Sequence, residues 1–273
     1  MRRFPATPFE MVASFARHRQ LIFELSRREI LARYRGSTLG WAWSLFNPLF
    51  MLGIYTLVFS AVFDSRWEGS TSHSRGDFAL ILFVGLIVHG FFAECIHRAP
   101  TLIVNHANYV KKVVFPLEVL PWAAMGSALF HALISLAVLF AAKVTISQHV
   151  PSTAWLLPIV LLPLLFGVIG LCWLFTSLGV YVRDLSQVTV MFATAMQFVS
   201  AVFFPISALP EPYRSWLRLN PLAVTIEQSR DVLIFGRLPN PAEWFLTMLA
   251  GMALAWAGFA AFQKTRRGFA NVL

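Results

Sequence analysis

The sequence predicts an all-α integral membrane protein: six transmembrane helices, an amphipathic helix ahead of them, and two short helices between the fifth span and the sixth. Three observations predict it. Apolar residues fill 58% of the 273 positions and charged residues only 13%, a composition that a soluble domain of this size cannot bury. Six segments, at 39–63, 78–96, 119–142, 155–182, 188–206 and 244–262, reach the roughly 20 apolar residues that a bilayer core requires. The basic residues also divide unevenly, 15 of the 22 lying on the side of the termini and 7 on the other, so both ends are expected in the cytoplasm. The net charge of +9 is then the basic excess of cytoplasmic membrane loops, not a nucleic-acid surface.

Residues 1–38 read as a cytoplasmic unit. Met11, Phe15, Ile22 and Leu25 recur on one face and Glu10, Arg17, Glu24 and Arg28 on another, the spacing of an amphipathic helix lying along the membrane. Pro8 suits its first turn and Gly36 its end. One stripe can enter lipid or lie on a span while the other meets water or a partner. The stretch REILARYRG then sets Arg33 and Arg35, either side of Tyr34, directly before the first span. Guanidinium forks bind phosphate oxygens bidentately, so the pair either holds a lipid phosphate or anchors the chain among headgroups.

Residues 39–273 read as the membrane unit. The first long apolar run lacks a small-residue cleavage site behind its basic flank, so it is expected to stay in the mature chain. Pro158 and Pro163 remove backbone donors from the fourth span and demand a kink or compensating neighbours. Cys95 and Cys172 lie in apolar runs without a CxxC pattern, which argues against metal or a disulfide. His89, Glu94 and His131 sit in or near spans, where ionisable groups are costly and often functional; Glu94 can reach water or Arg98.

Two connections carry further signals. In the cytoplasmic loop 97–117, NHANYVKKVVFP offers Asn105 as the cap of a short helix, Tyr109 and Val110 as apolar contacts, Lys111 and Lys112 as charge, and Pro116 as a stop. In the far-side segment 207–241, Pro210 and Pro212 open a short helix with Tyr213 and Trp216. Asn220 and Pro221 start a second that runs toward Phe235 and ends at Gly236. Glu227, Arg230 and Asp231 are spaced to pair on one face of it. The chain contains no Walker sequence and no recognisable nucleophile motif, so ATP chemistry must come from another chain.

Three blocks, REILARYRGSTLGWAWSLFNPLF, GLIVHGFFAECIHRAPTLIVNHANYVKKVVFPLEVLPW and FFPISALPEPYRSWLRLNPL, occur in that order. Together they resemble the membrane subunit of ABC-2-type polysaccharide exporters, in particular those that export lipopolysaccharide O-antigen. The resemblance runs through nearly the whole chain. It implies the ABC-2, or type V, exporter fold and a homodimer in the bacterial inner membrane. Two partner ATPase subunits would supply ATP and Mg, this chain holding no cofactor, and the cargo would be an undecaprenyl-pyrophosphate-linked glycan. By the same resemblance the N-terminal helix is an interface helix, the loop 97–117 holds the coupling helix with Asn105, Tyr109, Lys111 and Lys112, and 207–241 holds periplasmic gate helices with Tyr213, Trp216, Glu227 and Arg230. Arg33, Tyr34 and Arg35 would approach the pyrophosphate. Trp41, Phe46, Tyr55, Phe192 and Phe198 would line the channel, where aromatic faces contact sugars without fixing them by hydrogen bonds. Capsule and teichoic-acid exporters share this architecture, and a small-lipid or drug exporter is a further reading. An intramembrane enzyme acting on lipid-linked sugar would require acid, base or metal-ligand clusters at one depth, which the sequence lacks.

Overall fold

The computed structural model describes residues 5–38, 40–61, 75–110, 115–147 and 149–273, and their regular elements are all helical. Helix α1, Pro8–Arg17, starts where the Thr7 hydroxyl oxygen accepts the Glu10 N–H at 3.2 Å. Helix α2, Arg19–Tyr34, follows at once. The single amphipathic helix expected from the sequence is therefore two, broken at His18. The bend lets each half bury its own short stripe, Met11 and Ser14 in one, Ile22 and Ser26 in the other. Arg17 pairs with Glu10 at 3.1 Å, and the chain leaves α2 through Gly36 at φ 83°, a conformation that favours glycine.

The membrane unit continues with α3 (Ala42–Ala61), α4 (Arg75–Arg98), two 3₁₀ turns (Ala99–Thr101 and Val104–His106), α5 (Ala107–Val110) and α6 (Val119–Ser147). A 3₁₀ turn at Ser152–Leu156 leads into α7 (Leu157–Gly179), then come α8 (Leu185–Val199), α9 (Glu211–Arg218) and α10 (Pro221–Arg230). A π-helical turn, Asp231–Phe235, extends α10, and α11 (Pro241–Thr265) and α12 (Phe269–Val272) complete the chain. Asn220 caps α10 by accepting the Leu222 N–H at 3.0 Å, and Gly236 ends the π turn at φ 68°, as the sequence predicts.

Among the described residues, four helical stretches are long and apolar enough to cross a membrane: Asp77–Thr101, Val119–Ile146, Ser152–Gly179 and Pro241–Val272. The other two expected spans correspond to shorter apolar helices, Ala42–Val58 and Leu185–Val199. Positions 39 and 63, the expected ends of the first span, lie outside the described residues. The fifth, expected to reach 206, stops at Val199 because Ala201 turns to φ 54°. Its 15 residues make a helix about 22 Å long, against a bilayer core of about 30 Å.

Helix α4 is the hub, with 83% of its apolar window buried, whereas 17% of the α6 window is. Helices α7 and α11 meet at glycines: a Cβ on Gly258 would stand 2.0 Å from the Gly170 carbonyl oxygen, and one on Gly251 2.5 Å from that of Pro163. Such small residues let helices approach where lipid gives no hydrophobic drive. Pro163 stays inside α7, and the Ile159 carbonyl, which its missing N–H would have served, accepts the Trp244 indole N–H at 2.9 Å. Cys95 and Cys172 are free and buried.

Candidate functional site

The last turn of α2 sets Arg33 and Tyr34 against α4 and α6. Arg33 Nη1 donates to Glu94 Oε1 at 2.5 Å and lies 2.9 Å from His131 Nδ1. The same Nδ1 is 3.1 and 3.2 Å from the two Glu94 oxygens. One ring nitrogen can accept from Arg33 or donate to Glu94, not both. His131 Nε2 is buried without a hydrogen-bond partner among the described residues. Arg98 pairs with Glu29 and holds Nη1 3.8 Å from Glu94 Oε1. Two of the three ionisable groups that the sequence marks near spans thus meet, while His89 Nε2 lies 2.9 Å from the Ala193 carbonyl oxygen.

Beside this cluster a cleft of about 550 Å³ opens between α3, α4 and α6, and its wall includes Tyr34, Ser44, Asn47, Tyr55, Ser135 and Gln197. Its lining is polar and aromatic together, suited to a hydroxyl-rich ligand. Burial raises the Tyr34 phenol above its ordinary range, while the Arg33 charge opposes that rise. Arg35 is exposed and does not line the cleft. Among the expected channel residues, Tyr55 lines the cleft. Trp41 is half-exposed and stacks on Tyr34 with centroids 5.7 Å apart, and Phe46 stacks on Phe50 at 5.6 Å. Phe192 is half-buried beside Phe92 and Phe175, and Phe198 is exposed beside Phe203.

In the loop 97–117, Asn105 is exposed inside the turn Val104–His106, not ahead of it, so it does not cap that turn. Tyr109 stacks on Phe115 at 4.2 Å and on His106 at 5.4 Å, and its hydroxyl accepts from Arg28 Nη1 at 3.2 Å. The loop is thereby tied to α2. Lys111 and Lys112 lie outside the described residues.

On the far side, Tyr213 and Trp216 are exposed on α9. Glu227 accepts the Ile206 N–H at 3.0 Å. Arg230 is 2% exposed and donates to the carbonyls of Ile81 at 3.1 Å, Ala201 at 2.8 Å and Val202 at 2.5 Å. A guanidinium has enough donors to serve carbonyls freed where α8 stops. Gly85 makes room, since a Cβ there would lie 2.6 Å from Arg230 Nη2. Burial pulls Arg230 down to about 9, partly offset by Glu227. Burial also raises Glu227 and, aided by the Glu227 charge, pushes Asp231 up to about 6.

Residues 20–234 match the ABC-2 type transporter family, a match over most of the chain. The chain belongs to that family. The ABC-2 chain is 27% identical over 263 residues to the O-antigen export system permease protein RfbA of Myxococcus xanthus, covering 96% of this chain and 98% of the relative. It is 26% identical to an RfbA permease of Klebsiella pneumoniae, covering 93% and 95%. It is 23% identical to the polysialic acid transport protein KpsM of Escherichia coli, covering 83% and 89%. The ABC-2 chain is accordingly a multi-pass membrane component of a transporter and not an enzyme, and family membership implies a partner ATPase.

Sequence reasoning missed two pieces of this ABC-2 chain. Glu29 holds Arg98 in place. Glu118 pairs with Arg266 at 2.5 Å while accepting the Ser14 hydroxyl at 3.3 Å, and its carbonyl takes the Trp173 indole N–H at 3.1 Å. Arg266 also donates to the Phe115 carbonyl at 2.9 Å. This knot ties α1, α6, α7 and the C-terminal end together. A carboxylate directly ahead of a long apolar span was the signal that could have found it.

Proposed function

We propose that this chain is the membrane subunit of an ATP-driven exporter that moves undecaprenyl-pyrophosphate-linked O-antigen polysaccharide from cytoplasm to periplasm. The channel lies where two copies of the chain meet, and two ATPase subunits dock on the cytoplasmic side. In this reading α3, α4, α6, α7, α8 and α11 are six crossings of the bacterial inner membrane with both termini cytoplasmic. Residues 1–38 form the interface unit and 39–273 the membrane unit, with the coupling loop at 97–117 and the periplasmic gate at 207–241. Arg33 and Tyr34, with Arg35 behind them, receive the pyrophosphate. Trp41, Phe46, Tyr55, Phe192 and Phe198 contribute to the sugar path of the dimer, and Asn105, Tyr109, Lys111 and Lys112 meet the ATPase. Tyr213 and Trp216 face the outer interface, while Glu227 and Arg230 hold the gate in place.

The observation that carries this reading is similarity over nearly the full length to permeases named for O-antigen export. The position of Arg33 and Tyr34 on the wall of a polar, aromatic cleft supports it. A capsular polysaccharide is the second reading, favoured by the similarity to the polysialic acid transport protein. Deleting the chain from its host is expected to remove O-antigen from the surface and leave lipid-linked glycan at the inner membrane. The double variant Arg33→Gln/Arg35→Gln is expected to reproduce that loss with ATPase assembly intact. Lysine at both positions restores export only in part, because it keeps charge without the bidentate fork. Normal O-antigen display with loss of a capsule would move the assignment to the second reading.

A further inference from the structure

Arg33 and Glu94 form a wall between two cavities. On one side is the cleft already described. On the other is a second cavity of about 680 Å³, with Glu29, His97, Arg98 and His106 in its lining. Among the described residues, only Arg33, Gly90 and Glu94 line both. The bar between them is the 2.5 Å contact of Arg33 with Glu94, and it lies beside Gly90, where a Cβ would meet nothing within 4 Å. Both cavities therefore reach this ion pair, and Gly90 places no side chain beside it.

The carboxylate of Glu94 sits where a ligand anion belongs. Arg33, Arg98 and His131 all approach it, from three different elements, with Oε1 within 4 Å of each. A carboxylate and a phosphate present the same face to a guanidinium, two oxygens spaced for its fork. The cluster is also overfilled at one point and underfilled at another: Arg33 and Glu94 compete for His131 Nδ1, while His131 Nε2 lacks a partner among the described residues. A group that relieved Arg33 of Glu94 would leave Nδ1 free to donate to the carboxylate alone.

We propose that Glu94 is an internal anion occupying the seat of a substrate phosphate. A phosphate arriving in the Arg98-lined cavity takes Arg33 from Glu94, Glu94 stays with His131, and the bar between the two cavities opens. This rests on the reading above that the cargo carries a diphosphate, and it adds the residue that competes with it. Arg33 and Arg98 bind the phosphate; His131 is a positioning residue that holds Glu94 aside.

The test uses the full chain with its ATPase in lipid nanodiscs, farnesyl diphosphate as the ligand, and inorganic pyrophosphate as competitor. Removing the internal competitor with Glu94→Gln is expected to tighten farnesyl diphosphate binding about tenfold, the worth of one charged hydrogen bond, while Arg33→Gln weakens it by a similar factor. Glu94→Asp, one methylene shorter, keeps the charge but loosens its hold on Arg33, and is expected to fall between wild type and Glu94→Gln. The Ser135→Cys change in the cleft should give a thiol that reacts faster with a cytoplasmic thiol reagent in the Glu94→Gln protein, and faster in the Glu94-containing protein once farnesyl diphosphate is added. Displacement by inorganic pyrophosphate at equal concentration supports the exchange and identifies the phosphates as the recognised part. Unchanged or weaker binding by both Glu94 variants, with Arg33→Gln still impaired, overturns the exchange but leaves the diphosphate reading standing. Absence of binding in wild type and every variant, in a complex that still exports glycan, overturns the diphosphate reading as well.

Discussion

Proline inside a membrane helix leaves a carbonyl with no donor, and lipid cannot supply one. At Pro163 in α7 the donor is a single side chain. Pro163 strips Ile159 of its helical partner, and the Trp244 indole from α11 reaches across at 2.9 Å. Trp244→Phe keeps an aromatic ring but loses the pyrrole ring with its N–H, so it is expected to destabilise the chain by about 1 kcal/mol, the lower end of the cost of an unmet carbonyl, because this carbonyl lies in a partly open position. Pro163→Ala returns the missing N–H to the helix. In that background the Trp244→Phe change should cost less, its hydrogen-bond part being gone, and a double-mutant cycle on unfolding midpoints in detergent measures the coupling. Additive effects of the two changes would mean that the indole serves packing alone. Arg230 follows the same logic with a larger group, since it serves two carbonyls just past the end of α8, Ala201 and Val202, and that of Ile81 in α4.

Between elements, contact distance sets what a position tolerates. On the seam of α7 and α11 a Cβ at Gly258 would stand 2.0 Å from backbone oxygen, whereas one at Gly167 would find its nearest neighbour at 4.0 Å. Gly258→Ala must push two backbones apart and is expected to cost about 1–3 kcal/mol. Gly167→Ala gains helix propensity at little steric expense and is expected to be neutral or stabilising by up to about 1 kcal/mol. Thermal midpoints of the two variants, compared in one detergent, check the contrast. Equal midpoints would show that the seam is looser than these distances imply. None of this was legible in the sequence, which shows glycines but not what faces them. The helices α9 and α10 were legible because Pro210, Asn220 and Gly236 act locally, through fixed φ, a side-chain cap and a left-handed turn. The bend at His18 was not, since nothing there forbids a helix and the bend serves the surfaces that α1 and α2 lie on. Glu94 and His131 were half-legible: their cost at that depth marked them, but Arg33 lies 61 residues from Glu94 in the chain. The carbonyl partners of Arg230 were not legible, because backbone acceptors leave no trace in side-chain spacing.

At the scale of the molecule, contacts sort the chain into two ends. Ser14 meets Glu118, Arg28 meets Tyr109, Arg33 meets Glu94, and Tyr181 donates to Thr265. At the opposite end Thr153 donates to the Val232 carbonyl, Gln228 to that of Asn240, and Ile206 to Glu227. The first group joins the residues flanked by most of the basic side chains, the end that the proposed function has in the cytoplasm by the positive-inside rule. The second group carries the exposed aromatics Tyr213 and Trp216, suited to the outer interface. Single cysteines introduced into a Cys95→Ala/Cys172→Ala background test this orientation at exposed positions of each group: Ser215 at one end, Pro5, Asn108 and Ala270 at the other. In cells with a permeabilised outer membrane, an impermeant maleimide is expected to label Ser215→Cys at once, and the other three only after the inner membrane is broken. Labelling of Asn108→Cys in intact inner membranes would invert the whole arrangement, placing the Arg33 cluster on the side away from ATP and leaving the loop that Tyr109 ties to α2 with no ATPase to meet.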